Sequence, residues 1–408
     1  MTNREVWFEM VTTVSYDEDP RYVTHTGEGY DGVVRVSYGG YYGTGVLLSD
    51  GHAILTAAHL FDERSGTTGV TFETQSGIQT LGAAKVLLHP GYDSEGNNDL
   101  AIVWLDRSAP VGADRYEIYR QGNEVGQEFT AVGYGMTGTG NTGAIEDNAD
   151  HVRLKADNRF DADASTLKSY LGSYMAWAPT VGTQLVADFD NGKSANDALG
   201  QLIHRSDLGL GPDEGLIAPG DSGSPAFLGV QVAGIATYRA SLSEGSTNPD
   251  VDNRLNSSFG EIASWQRVSA YQKWIDQSLR AEYQDAPTKP EDVKKEVVEG
   301  DSGTTYAYFL LQFIGVRSNP DDILSVDYAT RDGTATAGSD YIAANGRLNL
   351  YPGENEAAIP VEIIGDRTPE LNEIFSLDVF NPVGGSFGEG VVKLTAVRTI
   401  IDDDGWVG

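Results

Sequence analysis

Residues 220–238 read GDSGSPAFLGVQVAGIATY, in which a serine flanked by glycines is followed by short apolar runs. Glycines beside a serine let backbone N–H groups converge on a developing oxyanion without interference from a Cβ atom. The run QVAGIATY is typical of a β-strand, because it is short and rich in β-branched and aromatic residues. Similar runs punctuated by glycine, such as VVRVSYGG and LAIVWL, recur along the chain. The sequence therefore predicts an all-β fold.

Two further segments carry the partners that a nucleophilic serine needs. His59 follows an apolar strand in LTAAH, and Asp99 opens a buried strand in NNDLAIVWL. Acyl transfer by serine requires a base to remove the hydroxyl proton and a carboxylate to hold that base in the right tautomer. Taken alone, each segment has an ordinary explanation: His59 fits a surface histidine, Asp99 a turn-forming aspartate, and the Ser222 segment a tight glycine turn. Together, in the order His59, Asp99, Ser222, they favour a catalytic function.

The region from about Asp31 to Leu279 resembles the chymotrypsin/trypsin family of serine proteases. The resemblance rests on TAAH, NNDLAIVWL, GDSGSP and GIATY, on Gly133-Tyr134-Gly135, and on a helix near the end of the region. It implies two antiparallel β-barrels with the active site between them. It also implies an endopeptidase that acts on polypeptides and needs no cofactor for catalysis.

The resemblance assigns a role to each residue of the motifs. His59 is the general base, Asp99 orients it, and Ser222 is the nucleophile. The backbone N–H groups of Gly220 and Ser222 form the oxyanion hole. In the family, a freed amino terminus pairs with the acid before the serine, here Asp221, but no usual activation sequence is evident around residues 30–34.

Cleavage preference in the family depends on a pocket below the serine. Enzymes that cut after Lys or Arg carry an acid six residues before the nucleophile, where this chain has Leu216, followed by Ile217. We therefore expect cleavage after apolar or small residues. Thr237 and Tyr238 begin the strand that pairs with the substrate backbone. Arg239 follows them, and it either narrows the pocket or meets an acidic group, or else turns to solvent.

The spacing of apolar and linker residues divides the chain. Apolar residues at steps of three or four predict an amphipathic helix over Ile262–Leu279, and a weaker one over Ser165–Trp177. The segment APTKPEDVKKEVV, rich in proline and charge, is typical of a linker. The predicted domains are an N-terminal extension or pro-segment (1–30), a protease domain (31–285), a linker (286–298) and a C-terminal domain (299–408).

The C-terminal domain resembles the Calx-beta domain, an immunoglobulin-like calcium-binding sandwich of sodium–calcium exchangers and bacterial surface proteins. The resemblance rests on DGTATAGSDY (332–341), LYPGE (350–354) and IIGD (363–366). It implies that Ca²⁺ binds at one end of the sandwich, through carboxylates from several loops. The candidate ligands are Glu299, Asp340, Asp366, Glu370, Glu373, Asp402, Asp403 and Asp404. Gly365 replaces an acid of the exchangers, so we expect fewer or weaker sites, and a calcium-independent spacer is the alternative.

Composition narrows the partners. The chain has 408 residues, with 28 basic and 60 acidic side chains and a net charge of −32, which argues against nucleic acid and anionic lipid. It contains no cysteine, which excludes disulfides and thiol nucleophiles. No apolar run is long enough to span a membrane, and no signal peptide is visible.

We expect a secreted or cell-surface bacterial protein whose Calx-beta domain contacts a surface or matrix partner. A calcium-dependent adhesion protein with an inactive protease scaffold is the rival function, and ester hydrolysis by the same triad is a third.

Overall fold

The computed structural model describes residues 10–12, 19–62, 65–144 and 152–405. The chain divides into two compact units. The first extends to Gln272 apart from two short segments, 49–51 and 108–111, which together with residues 273 onward form the second. Both units consist mainly of β-strands, which confirms the all-β fold predicted from the sequence.

The first barrel is a closed sheet of six antiparallel strands. A two-residue strand, β1 (Val11–Thr12), precedes it in the chain and belongs to another sheet. The barrel strands are β2 (Val33–Tyr38), β3 (Tyr41–Leu47), β4 (Ala53–Thr56), β5 (Gly69–Thr74), β6 (Gly77–Leu88) and β7 (Ala101–Leu105). They are hydrogen-bonded in the order β2-β3-β4-β7-β6-β5, and every residue of β4 and β7 is buried.

The second barrel is a seven-stranded antiparallel sheet with a small four-stranded sheet beside it. Their strands are β8 (Glu128–Gly133), β9 (Gly138–Thr139), β10 (Gly143–Ala144), β11 (Leu154–Arg159), β12 (Ala162–Asp163), β13 (Gln184–Asp188), β14 (Gly215–Leu216), β15 (Pro225–Leu228), β16 (Gln231–Ala240) and β17 (Ile262–Arg267). The large sheet has the order β11-β8-β15-β16-β17-β13-β12, and the small one β10-β9-β1-β14. Only Phe160 and Asp161 separate the edge strands β11 and β12, so the large sheet must curl round. The two predicted barrels are confirmed.

Three α-helices are described: α1 (Ala164–Leu171), α2 (Ala198–Ile203) and α3 (Val268–Glu282). The predicted helix over 165–177 is α1, followed by a short 3₁₀ turn, Gly172–Tyr174. The helix predicted to begin at Ile262 begins at Val268 instead, because Ile262–Arg267 pairs on both sides as β17. Trp265 of this strand fills the barrel core, 4.9 Å from the ring centroid of Phe129. None of these helices has the length and apolar character of a membrane span.

The described part of the N-terminal segment packs into the first unit. Met10 and Val11 are fully buried, and Val11 pairs with Leu216 of β14. Asp31 forms a buried ion pair with Arg153, at 2.7 Å, where the family would have an activation sequence. Whether residues 1–30 act as a pro-segment stays a prediction.

The second unit contains a β-sandwich. Its strands are β18 (Glu296–Val298), β19 (Gly303–Gln312), β20 (Leu324–Asp332), β21 (Asn345–Leu350), β22 (Glu356–Gly365), β23 (Glu373–Val383) and β24 (Lys393–Ile401). A five-stranded sheet, β18-β24-β23-β20-β21, faces the two-stranded sheet β19-β22 across an apolar core that includes Phe309, Ile363 and Phe375. Because β18 pairs with β24, the sandwich begins at Glu296, inside the segment predicted as linker.

Candidate active site and acidic clusters

The structure brings His59, Asp99 and Ser222 together in one hydrogen-bonded chain. His59 Nε2 lies 2.8 Å from Ser222 Oγ, and His59 Nδ1 lies 2.7 Å from Asp99 Oδ2. The His59 backbone N–H also donates to Asp99 Oδ1, at 2.8 Å. The Asp99 side chain is 2% exposed and that of His59 is 32% exposed, so the carboxylate is shielded while the ring remains accessible.

Strand pairing in the first barrel places the histidine beside the aspartate. Thr56, at the end of β4, pairs with Ala101, at the start of β7. His59 lies in a 3₁₀ turn, Ala58–Phe61, just after β4, and Asp99 lies just before β7. Two neighbouring antiparallel strands therefore present the two side chains at the same end of the sheet.

The serine loop lies between β14 and β15 and depends on its glycines. The Thr44 N–H donates to the Ser222 carbonyl at 2.8 Å, which ties this loop to the first barrel. Gly223 has a φ of +84°, and a Cβ atom there would lie 2.1 Å from Thr56 Oγ1. Only glycine fits this approach. Within the described chain, the N–H groups of Gly220 and Ser222 donate no hydrogen bond, so both are available to a bound oxygen.

Thr237 has a contact that sequence reasoning missed. It was predicted to lie in the substrate-binding strand, and it does lie in β16, but its hydroxyl donates to Asp99 Oδ2. Asp99 therefore accepts three hydrogen bonds, which fix its orientation. The only sequence signal was the position of Thr237 after GIA, which says nothing about where the hydroxyl points.

Asp221 is fully buried behind the serine loop. Its Oδ1 accepts the Gly135 N–H and its Oδ2 accepts the Ala218 N–H, both at 2.8 Å. A Cβ atom on Gly135 would lie 2.2 Å from Oδ2, so glycine allows this contact. Burial raises the pKa of Asp221 to about 7, partly offset by the hydrogen bonds from the Ala218 and Gly135 N–H groups and then by the Arg239 guanidinium. In the described chain, backbone groups rather than a chain terminus hold this carboxylate.

A cluster of carboxylates lies at one end of the sandwich. Oxygen atoms of Glu299, Asp366 and Asp404 all lie within 4.8 Å of one another. Glu299 Oε1 and Asp404 Oδ2 are buried and have no hydrogen-bond partner in the described chain. Burial, followed by repulsion from neighbouring acids, raises the pKa of Glu299 to about 7. Orphaned carboxylate oxygens of this kind fit a calcium ion, which prefers oxygen ligands.

A second cluster at the same end joins Asp340, Glu370 and Glu373, with oxygen atoms again within 4.8 Å. Burial, and then the charge of Asp340, raises the pKa of Glu373. Six of the eight predicted ligands therefore fall into two groups of three.

Two predicted ligands and one glycine lie beside these groups. Asp402 and Asp403 belong to neither cluster as the structure has them, and Asp403 Oδ1 accepts the Gly300 N–H at 3.1 Å. Gly365 packs against the same segment, where a Cβ atom would lie 2.3 Å from the Gly300 carbonyl oxygen. A side chain at position 365 is therefore sterically excluded here.

Comparison with known proteins agrees with this geometry. The sequence model of the Trypsin family matches residues 23–275, which is more than half of the chain. The chain belongs to the trypsin family. It is a serine endopeptidase, as the sequence predicted. Among solved structures, it is similar to neuropsin, a serine protease expressed in the limbic system of mouse brain. That match has 16% identity and a TM-score of 0.45, and it covers 63% of this chain and 98% of neuropsin.

The C-terminal unit is a Calx-beta domain. The model of that domain matches residues 312–404. The sodium/calcium exchanger Calx of Drosophila melanogaster is 41% identical over 83 residues, 20% of this chain and 8% of the exchanger. Sodium/calcium exchanger 2 of Rattus norvegicus is 39% identical over 92 residues, 19% of this chain and 10% of the exchanger. The chain thus spans no more than a tenth of these relatives.

In this trypsin-family protease, the predicted pocket residues Leu216 and Ile217 are buried. Leu216 is 1% exposed, and both side chains pack in the barrel core; that they line the specificity pocket stays a prediction. The Ile217 carbonyl accepts the Ser257 hydroxyl at 2.8 Å. Arg239 Nη1 donates to the same Ser257 Oγ at 2.6 Å. The guanidinium therefore turns inward rather than to solvent.

Tyr238, the other predicted pocket residue, bonds to side chains of the second barrel. Its hydroxyl donates to Gln184 Oε1 at 2.8 Å and accepts the Trp177 Nε1–H at 3.0 Å. These bonds tie this end of β16 to β13 and to the segment that contains Trp177.

Proposed function

We propose that this serine protease cleaves peptide bonds through His59, Asp99 and Ser222. The observation that carries the proposal is the pair of short contacts on the His59 ring, Nε2 to Ser222 Oγ and Nδ1 to Asp99 Oδ2. With its Nδ1–H held by Asp99, the neutral ring presents a lone pair on Nε2 to the serine hydroxyl.

In the proposed reaction, Ser222 Oγ attacks the peptide carbonyl carbon while His59 Nε2 takes the hydroxyl proton. The resulting oxyanion accepts hydrogen bonds from the N–H groups of Gly220 and Ser222. His59 then gives its proton to the leaving amine, and the C–N bond breaks to leave an acyl-enzyme. A water molecule then attacks the carbonyl carbon of the acyl-enzyme and gives its proton to His59. His59 passes that proton to Ser222 Oγ as the acyl C–O bond breaks, which releases the acid product and restores the Ser222 hydroxyl.

We propose cleavage after apolar or small residues. The inward guanidinium of Arg239 would repel a Lys or Arg side chain, and no acid stands at position 216 to compensate. The Arg239 guanidinium also interacts with the charge of Asp221, which precedes Ser222, so we propose that its side chain limits the pocket to small residues.

A digest of a peptide library tests this preference. We expect cuts after apolar and small residues, and Arg239→Ala should widen the range toward larger apolar residues. Arg254→Ala, which removes an exposed arginine, is the matched control and should not change the pattern. A wild-type digest dominated by cuts after Lys or Arg would overturn the proposal. Cuts mainly after Asp or Glu would show that Arg239 binds an acidic side chain.

For the C-terminal unit, we propose calcium binding at the two acidic clusters, with Glu299 and Glu373 as representative ligands. We also propose that the protein is secreted or displayed on a bacterial surface, where the Calx-beta domain would contact a surface or matrix partner. The orphaned oxygens of the Glu299 cluster support the metal proposal.

The direct test of the catalytic assignment is labelling with a fluorophosphonate, followed by intact mass measurement. We expect one adduct on the wild-type protein and none on Ser222→Ala, with peptidase activity lost in Ser222→Ala and His59→Ala. Removal of a triad residue should cost about 10⁴-fold or more in kcat. Labelling that persists in Ser222→Ala, or near-normal turnover, would refute the assignment. A wild-type protein that neither labels nor cleaves would favour an inactive adhesion scaffold.

A further inference from the structure

A third group of carboxylates lies in the protease unit, in the segment DFDNGKSAND (188–197), which runs from the last residue of β13 to the residue before α2. Oxygen atoms of Asp188, Asp190 and Asp197 lie within 4.8 Å of one another. Unlike the acids of the sandwich, all three are buried, at 2%, 3% and 2% exposure. Three buried carboxylates at this distance are costly unless a cation or protons neutralise them.

Two of the three acids have partners that account for most of their oxygens. Asp188 Oδ2 accepts the Leu199 N–H at 2.7 Å. Asp197 accepts the Gly200 N–H at 2.5 Å and the Ser206 hydroxyl at 2.6 Å. These bonds orient the carboxylates but supply no positive charge.

Asp190 differs, because its Oδ1 is buried without a hydrogen-bond partner in the described chain. An orphaned buried carboxylate oxygen costs free energy, so it calls for a ligand. The charged groups that act most strongly on Asp190 are other acids, first Asp188 and then Glu214, so none of them neutralises it.

We propose that Asp188, Asp190 and Asp197 form a calcium site within the protease unit, distinct from the sites of the Calx-beta domain. All three donors are oxygen atoms, which favours a hard cation over zinc or copper. Calcium takes about six to eight oxygen ligands in irregular geometry, and three carboxylates can supply up to six. This proposal does not rest on the catalytic assignment.

The site would brace the segment that leads to the serine loop. The Asp190 N–H donates to Glu214 Oε1 at 2.7 Å, and Glu214 directly precedes β14. The Asn158 side chain also joins the carbonyls of Asp188 and Gly215, at 2.9 and 3.0 Å. A cation that fixes Asp188 and Asp190 therefore also fixes the entry to β14.

The test uses the full chain carrying Glu299→Gln and Glu373→Gln, which removes one ligand from each cluster of the sandwich. Titration calorimetry with CaCl₂ should then show one remaining equivalent of calcium. Adding Asp190→Asn, which keeps the size of the side chain, should abolish that equivalent. Glu244→Gln, at an exposed acid, is the matched control and should leave it in place. Loss of all calcium binding in the parent double variant, or binding that survives Asp190→Asn, would overturn the proposal.

A measurement on the unaltered protein covers the case in which Asp190→Asn fails to fold. Crystals of the full chain soaked in TbCl₃ should give an anomalous peak about 2.3–2.6 Å from oxygens of Asp188, Asp190 and Asp197. The absence of a peak there, while the sandwich shows one, would overturn the proposal. Neither readout uses peptidase activity, so the calcium site can be disproved while the proposed catalytic function stands.

Discussion

Replacing Asp99 by asparagine tests the tautomer argument with the smallest change of shape. Asp99 Oδ1 accepts the His59 backbone N–H at 2.8 Å, while Oδ2 accepts His59 Nδ1–H and the Thr237 hydroxyl. An asparagine has only one acceptor oxygen. The backbone N–H cannot turn, so the oxygen must face it, and the amide NH₂ must then face His59 Nδ1. The Thr237 hydroxyl can rotate to accept.

In that arrangement, His59 Nδ1 accepts a hydrogen bond and the ring proton moves to Nε2. This proton points at Ser222 Oγ, 2.8 Å away, so the histidine can no longer remove the serine proton. In a serine protease with the same triad, the equivalent Asp-to-Asn substitution lowers kcat by about 10⁴-fold. That ratio corresponds to about 5 kcal/mol of activation free energy.

The assay measures kcat and KM of Asp99→Asn on a peptide substrate at neutral pH, together with thermal unfolding. We expect kcat to fall by about 10⁴-fold, KM to change little and the melting temperature to stay close to wild type, because the hydrogen-bond count is preserved. Asp106→Asn, at an exposed aspartate, is the control and should keep full activity. A loss of less than tenfold, or a loss confined to KM, would refute the reasoning.

Three further outcomes are expected. The pKa of Asp221 is about 7 in the folded protein against an ordinary value of 3.8, so its protonated form is favoured by folding. Asp221 contributes about 4 kcal/mol to the free energy of unfolding below about pH 4, and this contribution is lost as the pH rises toward 7. The free energy of unfolding, measured by denaturant titration at several pH values in this range, should therefore change less with pH in Asp221→Asn than in the wild type. An equal pH dependence in the two proteins would contradict this. Gly135→Ala should lower the free energy of unfolding by about 1–3 kcal/mol and reduce kcat, because the added Cβ would lie 2.2 Å from the Asp221 carboxylate. An unchanged melting temperature and kcat would argue against that contact. The wild-type chain should melt at a higher temperature in millimolar CaCl₂ than in chelator, and Glu299→Gln with Glu373→Gln should reduce the difference, whereas identical curves for the wild type would make the sandwich a spacer.

Local motifs predicted the fold class, and they also singled out His59, Asp99 and Ser222, which the structure joins by hydrogen bonds. LTAAH and NNDLAIVWL place a histidine after one strand and an aspartate before another, and the structure joins them by pairing β4 with β7. What the motifs could not reveal are contacts between distant segments. The hydroxyl of Thr237, on β16, bonds to Asp99, which lies 138 residues earlier in the chain. Similarly, Leu216 pairs with Val11, which lies in a segment with no recognisable motif.

The predicted start of the last helix in the protease region, at Ile262, was wrong for a different reason. Ile262 and Trp265 are spaced three residues apart, which fits one face of a helix. The same two residues also fit a strand that is buried on both faces, as β17 is. Periodicity alone could not separate the two, and pairing with β13 and β16 decided it.

The pairing of Val11 with Leu216 constrains the order in which the molecule can assemble. Partners about two hundred residues apart meet late, because closing so long a loop costs chain entropy before any contact compensates. The first barrel draws all its strands from residues 33–105, so it can form while the rest of the chain is still being synthesised. β1 and β14 can join only after Leu216 has emerged, and Leu216 leads directly to Ser222. Recovery of catalytic power on refolding should consequently lag behind recovery of most β-structure.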